Sequence, residues 1–332
     1  MIRPLVQVPD APAIPGLHFR KVDLDIDIDG IVALINDSAV ADAVEFALSA
    51  DEVRHDLEHK SNFDIARDLV VAELDGRIVG EIEMHVAVRG GVAVHEFDGW
   101  VHPEARRQGI GRALARWAER RAREVAGESR GDRPHELGAW VDSNVVDGTA
   151  LLESEGYRRV RYGFMMIRPL DEPIADAPLP AGVELRPVVP ADYRRIWEAD
   201  CEAFEDHWAA AARTEEDFQR WFTMPNLDTS MWRVAWDGDQ VAGSVFTLVW
   251  PEENERLGLS RGWLEHISVR RPWRKRGLAS ALIAETLRLF RDMGLAEGAL
   301  GVDAENASGA LRLYESLGFR RHRTGIAFRK AL

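Results

Sequence analysis

From Gly277 onward, Leu278, Leu282, Thr286, Leu289 and Phe290 recur three and four residues apart. That spacing lines one face of a helix. Just upstream, "WLEHISV" (263–269) is short and partly alternating, which predicts a strand. Two longer stretches, "LVVAELDGRIVGEIEMHV" and "WRVAWDGDQVAGSVFTLV", each place an Asp-Gly pair between β-compatible runs and predict hairpins. Each half of the chain also opens alike. "LHFRKVDLDIDIDGIVALI" from Leu17 and "VELRPVVPADYRRIWEA" from Val183 both read as a strand, a turn and an amphipathic helix. In order, each half predicts strand, helices, hairpin, strand, glycine loop, helix, strand, helix and final strands. Such alternation implies an α/β fold whose sheets are part antiparallel and part parallel.

The glycine loops carry the chemistry. "RRPWRKRGLAS" from Arg270 sets five basic residues just ahead of Gly277 and a helix start. The first backbone N–H groups of a helix lack intrahelical partners, and the macrodipole adds roughly half a positive charge there. A strand, a glycine loop and a helix N-terminus together predict an anion site. "HPEARRQGIGRALARWAERRARE" (102–124) has the same order, with Arg106, Gly109 and Gly111 matching Arg274, Gly277 and Ala279 at a constant offset of 168. "NVVDGTALLESEGY" (144–157) likewise matches "NASGALRLYESLGF" (306–319) at an offset of 162. Two blocks repeated in one order mark a duplication.

Composition narrows the function. The net charge of −14 is spread over both halves, so neither is the basic body of a nucleic-acid binder. An acidic body with local basic slots suits a phosphorylated small molecule and a cationic second substrate. The single Cys201 excludes an internal disulfide framework and a cysteine-based zinc cluster. No apolar run approaches a membrane span, and the N-terminus lacks a signal-peptide profile, so the expectation is a cytoplasmic protein without a membrane partner. "PLDEPIADAPLPAG" (169–182), with its four prolines, reads as a linker. The expected domains are residues 1–170 and 183–332, with 171–182 between them.

The R-x-x-G-x-G/A loop and the downstream N-x6-L-Y-E-x-L-G-F block resemble the GNAT superfamily of N-acetyltransferases over nearly the whole chain. The length and doubling are similar to those of mycothiol synthases within it. The resemblance implies two tandem GNAT domains, each a mixed, splayed β-sheet flanked by helices, acting as a monomer or homodimer. It implies acetyl-CoA as co-substrate and no metal, with a small amine as acceptor. By that carry-over Ile267, Ser268 and Val269 offer the strand edge to the pantetheine arm. Arg274, Lys275, Arg276, Gly277, Leu278 and Ala279 hold the pyrophosphate, and Asn306 contacts the CoA arm. The first half would use Val101, Arg106, Arg107, Gln108, Gly109, Ile110, Gly111 and Asn144 in the same way.

Acetyl transfer to an amine needs proton management, because an ammonium of pKa about 10.4 is neutral in only about one molecule per 2,500 at pH 7. The resemblance gives Tyr314, the tyrosine of the L-Y-E block, the part of acid toward the leaving thiolate. Glu265 on the fourth strand is the expected base, with His266 the competitor; strict alternation would let only one of them face the substrate. In the first half Leu152 stands where Tyr314 does and Phe97 where Glu265 does. That half is therefore expected to be catalytically silent, or to use Glu96, Asp98 or Tyr157. Where Trp197, Phe204, Trp208, Phe218, Trp221 and Phe222 interleave with Glu202, Glu205, Asp206, Glu215, Glu216 and Asp217, the letters suit a pocket for a cationic amine, but ordinary helix packing with a solvated acidic face accounts for them better. Two alternatives stay open: a non-catalytic acyl-CoA sensor, and an enzyme acetylating a sugar-linked cysteine amine. Two weaker signals are set aside. "DIDIDGIVALIN" (25–36) ends on Asn36 rather than a calcium-binding Glu, and Asp29 there reads as a helix cap. "HDLEH" (55–59) matches an inverted zinc-protease motif by chance spacing.

Overall fold

The computed structural model describes residues 4–129, 131–208, 210, 213–306 and 309–332. The first half of the chain runs β1 (Leu17–Arg20), α1 (Leu24–Ala41), α2 (Ala50–His59), α3 (Ile65–Asp68), β2 (Leu69–Leu74), β3 (Arg77–Arg89) and β4 (Val92–Val101). It continues with α4 (Ile110–Glu128), β5 (His135–Asp142), α5 (Val146–Ser154) and β6 (Arg158–Pro169). The second half repeats the plan: β7 (Glu184–Arg186), α6 (Tyr193–Phe204), α7 (Glu215–Phe222), β8 (Arg233–Asp237), β9 (Gln240–Leu248) and α8 (Pro251–Leu257). Then come β10 (Arg261–Val269), α9 (Leu278–Asp292), β11 (Glu297–Asp303), α10 (Ala310–Ser316) and β12 (Arg320–Ala331). Among the described residues no helix is long and apolar enough to cross a membrane.

Local chemistry sets the element ends. The cap of α1 is Asp23, whose carboxylate accepts from Asp25 N at 3.2 Å; Asp29, the cap expected from sequence, lies inside the helix. Ser49 and Glu52 form a capping box at the start of α2. The first hairpin turns at Asp75 and Gly76, both at positive φ (51° and 82°), as a two-residue turn of matching twist requires.

The chain divides into two compact units. Unit 1 comprises residues 1–160, 214–225 and 326–332; unit 2 comprises 161–213 and 226–325. In unit 1 the strand order is β1-β2-β3-β4-β5 followed by the end of β12, and in unit 2 it is the end of β6, then β11-β10-β9-β8-β7. Each unit thus completes its sheet with the last strand of the other half of the sequence. Ile326 and the fully buried Phe328 pack in unit 1 with Leu114, Trp117 and Leu137. Met166 and Leu170 pack in unit 2 with Leu264, Leu282 and Phe290. Burying such side chains stabilises each unit by about 2–3 kcal/mol apiece.

Both sheets are mixed, and both open at the same place. In unit 1, β4 pairs antiparallel with β3 along its whole length but parallel with β5 only from Ala93↔His135 to Glu96↔Gly138. In unit 2, β10 pairs parallel with β11 only over Arg261↔Glu297 to Trp263↔Ala299, while its pairing with β9 runs on to Val269↔Gly243. Beyond those points the parallel neighbours part. An unpaired strand edge is left beside each glycine loop.

Candidate active site

The loop after β10 is built to present amides. A single 3-10 turn over Arg271–Trp273 leads to Lys275 at φ 60° and Gly277 at φ 83°, and α9 starts on the next residue. Ala281 N is bonded back to Gly277 O at 3.1 Å, so the amides just ahead of it have no intrahelical acceptor. A Cβ placed on Gly277 would meet no atom within 4 Å, which leaves open space in front of these groups.

The basic side chains of this loop do something the sequence did not suggest. Arg270 pairs with Glu202 at 2.8 Å, and Arg271 and Arg274 both reach Asp206 at 2.6 Å. Arg274 also donates through Nε to Val269 O at 2.9 Å, which ties the loop to the strand it follows. The hydrogen bonds from Arg271 and then Arg274 hold the Asp206 carboxyl well below the usual carboxylate range. Glu202 and Asp206, weighed for an acceptor pocket, instead neutralise three of the five cations. Lys275 and Arg276 stay exposed, with no ion pair among the described residues. Arg274 thereby braces the loop against β10 and α6.

Three expected strand residues lie along the parted edge. Ile267 and Val269 are half-buried, and the buried Ser268 shares a hydrogen bond of 2.9 Å with Ser244 on β9. Asn306 sits on the loop after β11, its amide donating to Asp303 O at 3.2 Å.

A β-bulge interrupts β10 at Glu265: Leu264 pairs with Thr247 and His266 with the adjacent Phe246, leaving Glu265 as the extra residue. The alternation that would have set Glu265 and His266 on opposite faces is broken here. His266 turns toward α6, where Nδ1 lies 2.9 Å from Oδ2 of the fully buried Asp200. The same oxygen accepts from Arg213 at 2.6 Å, and Phe204 and Phe246 flank the imidazole ring at 5.2 and 5.5 Å. Glu265 is exposed, but protein crowds all but its open side. Desolvation therefore outweighs the attraction of His266 and raises its carboxyl above the ordinary range, with Glu253 adding to the rise. Sequence reasoning missed Asp200 and Arg213; a bulge and a distant ion pair leave no local signature.

Tyr314 lies on α10, 7% exposed, its ring edge-on to Phe319 at 6.1 Å. Burial pushes its phenol up to about 12. Among the described residues no side chain hydrogen-bonds its hydroxyl.

A model of the acetyltransferase (GNAT) family matches residues 37–131 and 193–319. The chain belongs to the GNAT family. Among curated proteins it is 30% identical over 307 residues to a mycothiol acetyltransferase of Geodermatophilus obscurus, covering 92% of this chain and 94% of that protein. It is 36% identical over 234 residues to the mycothiol acetyltransferase of Salinispora arenicola, covering 70% and 71%. The crystal structure of a GCN5-related N-acetyltransferase from Sphaerobacter thermophilus superposes with a TM-score of 0.72 at 28% identity, covering 98% and 97%. A tandem GNAT protein from the clavulanic acid biosynthesis pathway shares the fold, with a TM-score of 0.67 at 19% identity over 95% and 98%. The chain is a tandem GNAT acyltransferase, which decides against the sensor reading.

GNAT enzymes draw their acyl group from acetyl-CoA or another acyl-CoA. The unit 2 loop fits such a co-substrate: Gly277 faces open space, the first amides of α9 lack intrahelical acceptors, and Lys275 and Arg276 remain as counter-cations. The unit 1 loop has the same backbone, with Arg107 at φ 63° and Gly109 at φ 93°. Its surroundings are more occupied. Arg106 is held by Val101 O at 2.9 Å and Asp42 at 2.6 Å, and Arg107 by Asp147 at 2.7 Å. Gln108 donates to Glu104 O at 3.4 Å and Asn144 to Ala43 O at 3.0 Å. Gly111 packs toward Val101 and Leu151, Ile110 is buried in the core, and Pro12 would touch a Cβ on Gly109 at 3.5 Å.

The other expected groups separate cleanly. Leu152 is a core residue of unit 1, and the Tyr157 hydroxyl donates to Glu119 at 3.0 Å inside the same core. Glu96 is held by Arg89 at 2.7 Å and Arg329 at 3.2 Å. Burial opposes its ionisation, but hydrogen bonds from His85 and Arg89 win and hold it down to about 2. Of the shifted candidates in unit 1 only Asp98 is left exposed. The aromatic residues weighed as a pocket in the second half divide between the two units. Trp197 is buried beneath Arg213 and Trp208 lies under Arg161, both in unit 2. Phe218 and Phe222 lie in tilted ring contact on α7 in unit 1, where Arg220 pairs with Asp56 at 3.0 Å and Ser61 with Asp217 at 2.9 Å. His55 and His59 stack on one face of α2, yet among the described residues no three His, Cys, Asp or Glu side chains are disposed to ligate one metal ion.

Proposed function

We propose that unit 2 moves an acetyl group from acetyl-CoA to a primary amine of a small molecule. The observation that carries this reading is the conjunction, on β10 and the start of α9, of an open amide cradle, a parted strand edge and a bulged pair of proton-accepting side chains. The pyrophosphate would lie on the amides from Lys275 to Ala279, with Lys275 and Arg276 as counter-charges. Acetyl-CoA supplies the electrophilic thioester carbonyl.

Glu265 accepts the proton of the acceptor ammonium, directly or through water. Its raised pKa brings it nearer to neutral pH, where a base is most effective. His266, fixed by Asp200, stands beside it as a second acceptor. A backbone N–H near Val269 stabilises the oxyanion while the new C–N bond forms. Tyr314 then gives its proton to the departing sulfur as the C–S bond breaks. Unit 1 has no counterpart of Tyr314 and is read as catalytically silent.

The curated relatives favour an acceptor of the mycothiol type, a sugar-linked cysteine amine, over free polyamines or aminoglycosides. Thiol release from acetyl-CoA against a panel of these amines tests both levels. Y314F should lower turnover about a hundredfold or more, the scale of a lost general acid, while CoA affinity stays within about twofold. Unchanged turnover removes Tyr314 from the mechanism.

A further inference from the structure

A buried pair of imidazoles in unit 1 plays no part in the scheme above. His95 is 0% exposed, and its Nε2 lies 2.9 Å from Nδ1 of His135, with the rings stacked at 5.2 Å. The other ring nitrogen of His95, Nδ1, is buried without a hydrogen-bond partner. The pair sits where unit 1 holds its parallel strands together. β4 and β5 pair only from Ala93↔His135 to Glu96↔Gly138, so both histidines lie within that short seam, ahead of the point where the strands part.

The surroundings leave the pair to itself. Alternation puts both rings on the core face, with Phe97 and Leu137. β3 lines that face with Met84, Val86 and Val88. α4 packs on both strands, but its charges are engaged elsewhere: Glu119 by Lys330 of β12 and by Arg123, and Arg121 by Asp68 and Glu124. Glu96 and Glu136 point to the opposite face, where Arg89 and Arg329 hold Glu96. Among the described residues no carboxylate pairs with either imidazole.

Proton accounting then restricts the pair. In the neutral state His95 Nε2–H donates to the lone pair on His135 Nδ1, and Nδ1 of His95 is left as a bare lone pair. An added proton finds no good place. On His135 Nδ1 it sets two N–H groups against each other. On His95 Nδ1 it makes a buried donor without an acceptor, and the same donor appears if the shared proton is supplied from His135 instead. Burial, then the neighbouring His135, accordingly pushes the His95 imidazole down to about 4.

We propose that the His95–His135 pair is an acid-sensitive clasp, which closes the β4–β5 seam of unit 1 at neutral pH and loosens it in acid. Once the strands separate, the rings reach water and take up protons near the ordinary value of about 6.5, so acid favours the open seam. A folded value held below the unfolded one gives stability that is complete above about pH 6.5 and fades as pH falls toward the folded value. Unit 2 lacks the device, since its own seam, Arg261–Trp263 beside Glu297–Ala299, contains no histidine. The inference does not depend on turnover in unit 2.

The test is native-state hydrogen exchange on the full chain at about pH 7.5 and about pH 5, expressed as protection relative to each amide's intrinsic rate. Protection across residues 93–96 and 135–138 should fall about tenfold to thirtyfold at the lower pH, the range that linkage gives for one buried imidazole. At residues 261–263 and 297–299 it should change by less than about threefold. H95F keeps a ring against His135 but cannot titrate, so it should abolish the fall in unit 1 whatever its overall stability. Nitrogen-15 spectra of the histidine rings need no variant: in the folded wild type at about pH 5, His95 should keep a protonated Nε2 and a bare Nδ1. Unchanged protection in the unit 1 seam, an equal fall in both seams, or a fall that survives in H95F overturns the clasp. So does a His95 ring already doubly protonated at that pH.

Discussion

Asp98 shows how much a single carboxylate can report. Burial of its surroundings and the neighbouring Glu83 push it up to about 6, although its own side chain reaches water. A carboxyl whose folded pKa is raised favours the fold most below its unfolded pKa and loses that advantage as pH rises through the folded value. Relative to wild type, D98N should therefore gain melting temperature between about pH 4 and pH 7, with the difference vanishing at the acid end. A constant difference across that range would mean that Asp98 titrates normally. At this scale the sequence was partly legible. The family resemblance singled out Tyr314 and the strand position Glu265, and alignment of the two halves showed that the first half lacks both. Asp200 did not stand out, since nothing in a run of letters says that a carboxylate will be buried beside a histidine 66 residues away.

The strand-loop-helix element was the most legible feature, and its side chains were the least. Glycine at φ 83° ahead of α9 follows from the motif, because only glycine enters that backbone region without strain. The cation-rich loop read as an anion site with Arg274, Lys275 and Arg276 among its ligands, and opposite charges placed far off in sequence pair with Arg270, Arg271 and Arg274. The proposed anion site would then rest on main-chain amides and on Lys275 and Arg276. G277A should cost about 1 kcal/mol in stability from the positive φ alone. It should cost CoA affinity as well, since a methyl group would intrude on the open space. Calorimetry with CoA and thermal melting separate the two effects; affinity that survives the substitution would place the nucleotide elsewhere. The bulge at Glu265 belongs to this scale too. Its sequence, "LEHIS", carries no glycine or proline to announce it, so alternation was the natural but incorrect expectation.

For the whole molecule, the duplication predicted two α/β sheets, and the mixed pairings match it. What patterning could not reveal is that residues 161–170 and 326–332 belong to the unit built mainly from the other half. Strand composition is silent on partners: an apolar run buries equally well in either sheet. The exchange makes a sharp prediction. Phe328 lies near the C-terminus yet is fully buried in the core of unit 1, so F328A should destabilise that unit by about 3–5 kcal/mol. Hydrogen exchange should record faster opening in β4 and β5 than in β9 and β10; the reverse order would deny the exchange of strands. The most direct test of the account asks whether the α9 amides hold the nucleotide. Hydrogen exchange at Lys275 to Ser280, measured with and without saturating coenzyme A, should slow on binding. If those amides exchange at the same rate while CoA is bound, the cradle is not its site and the transfer mechanism assigned to unit 2 fails.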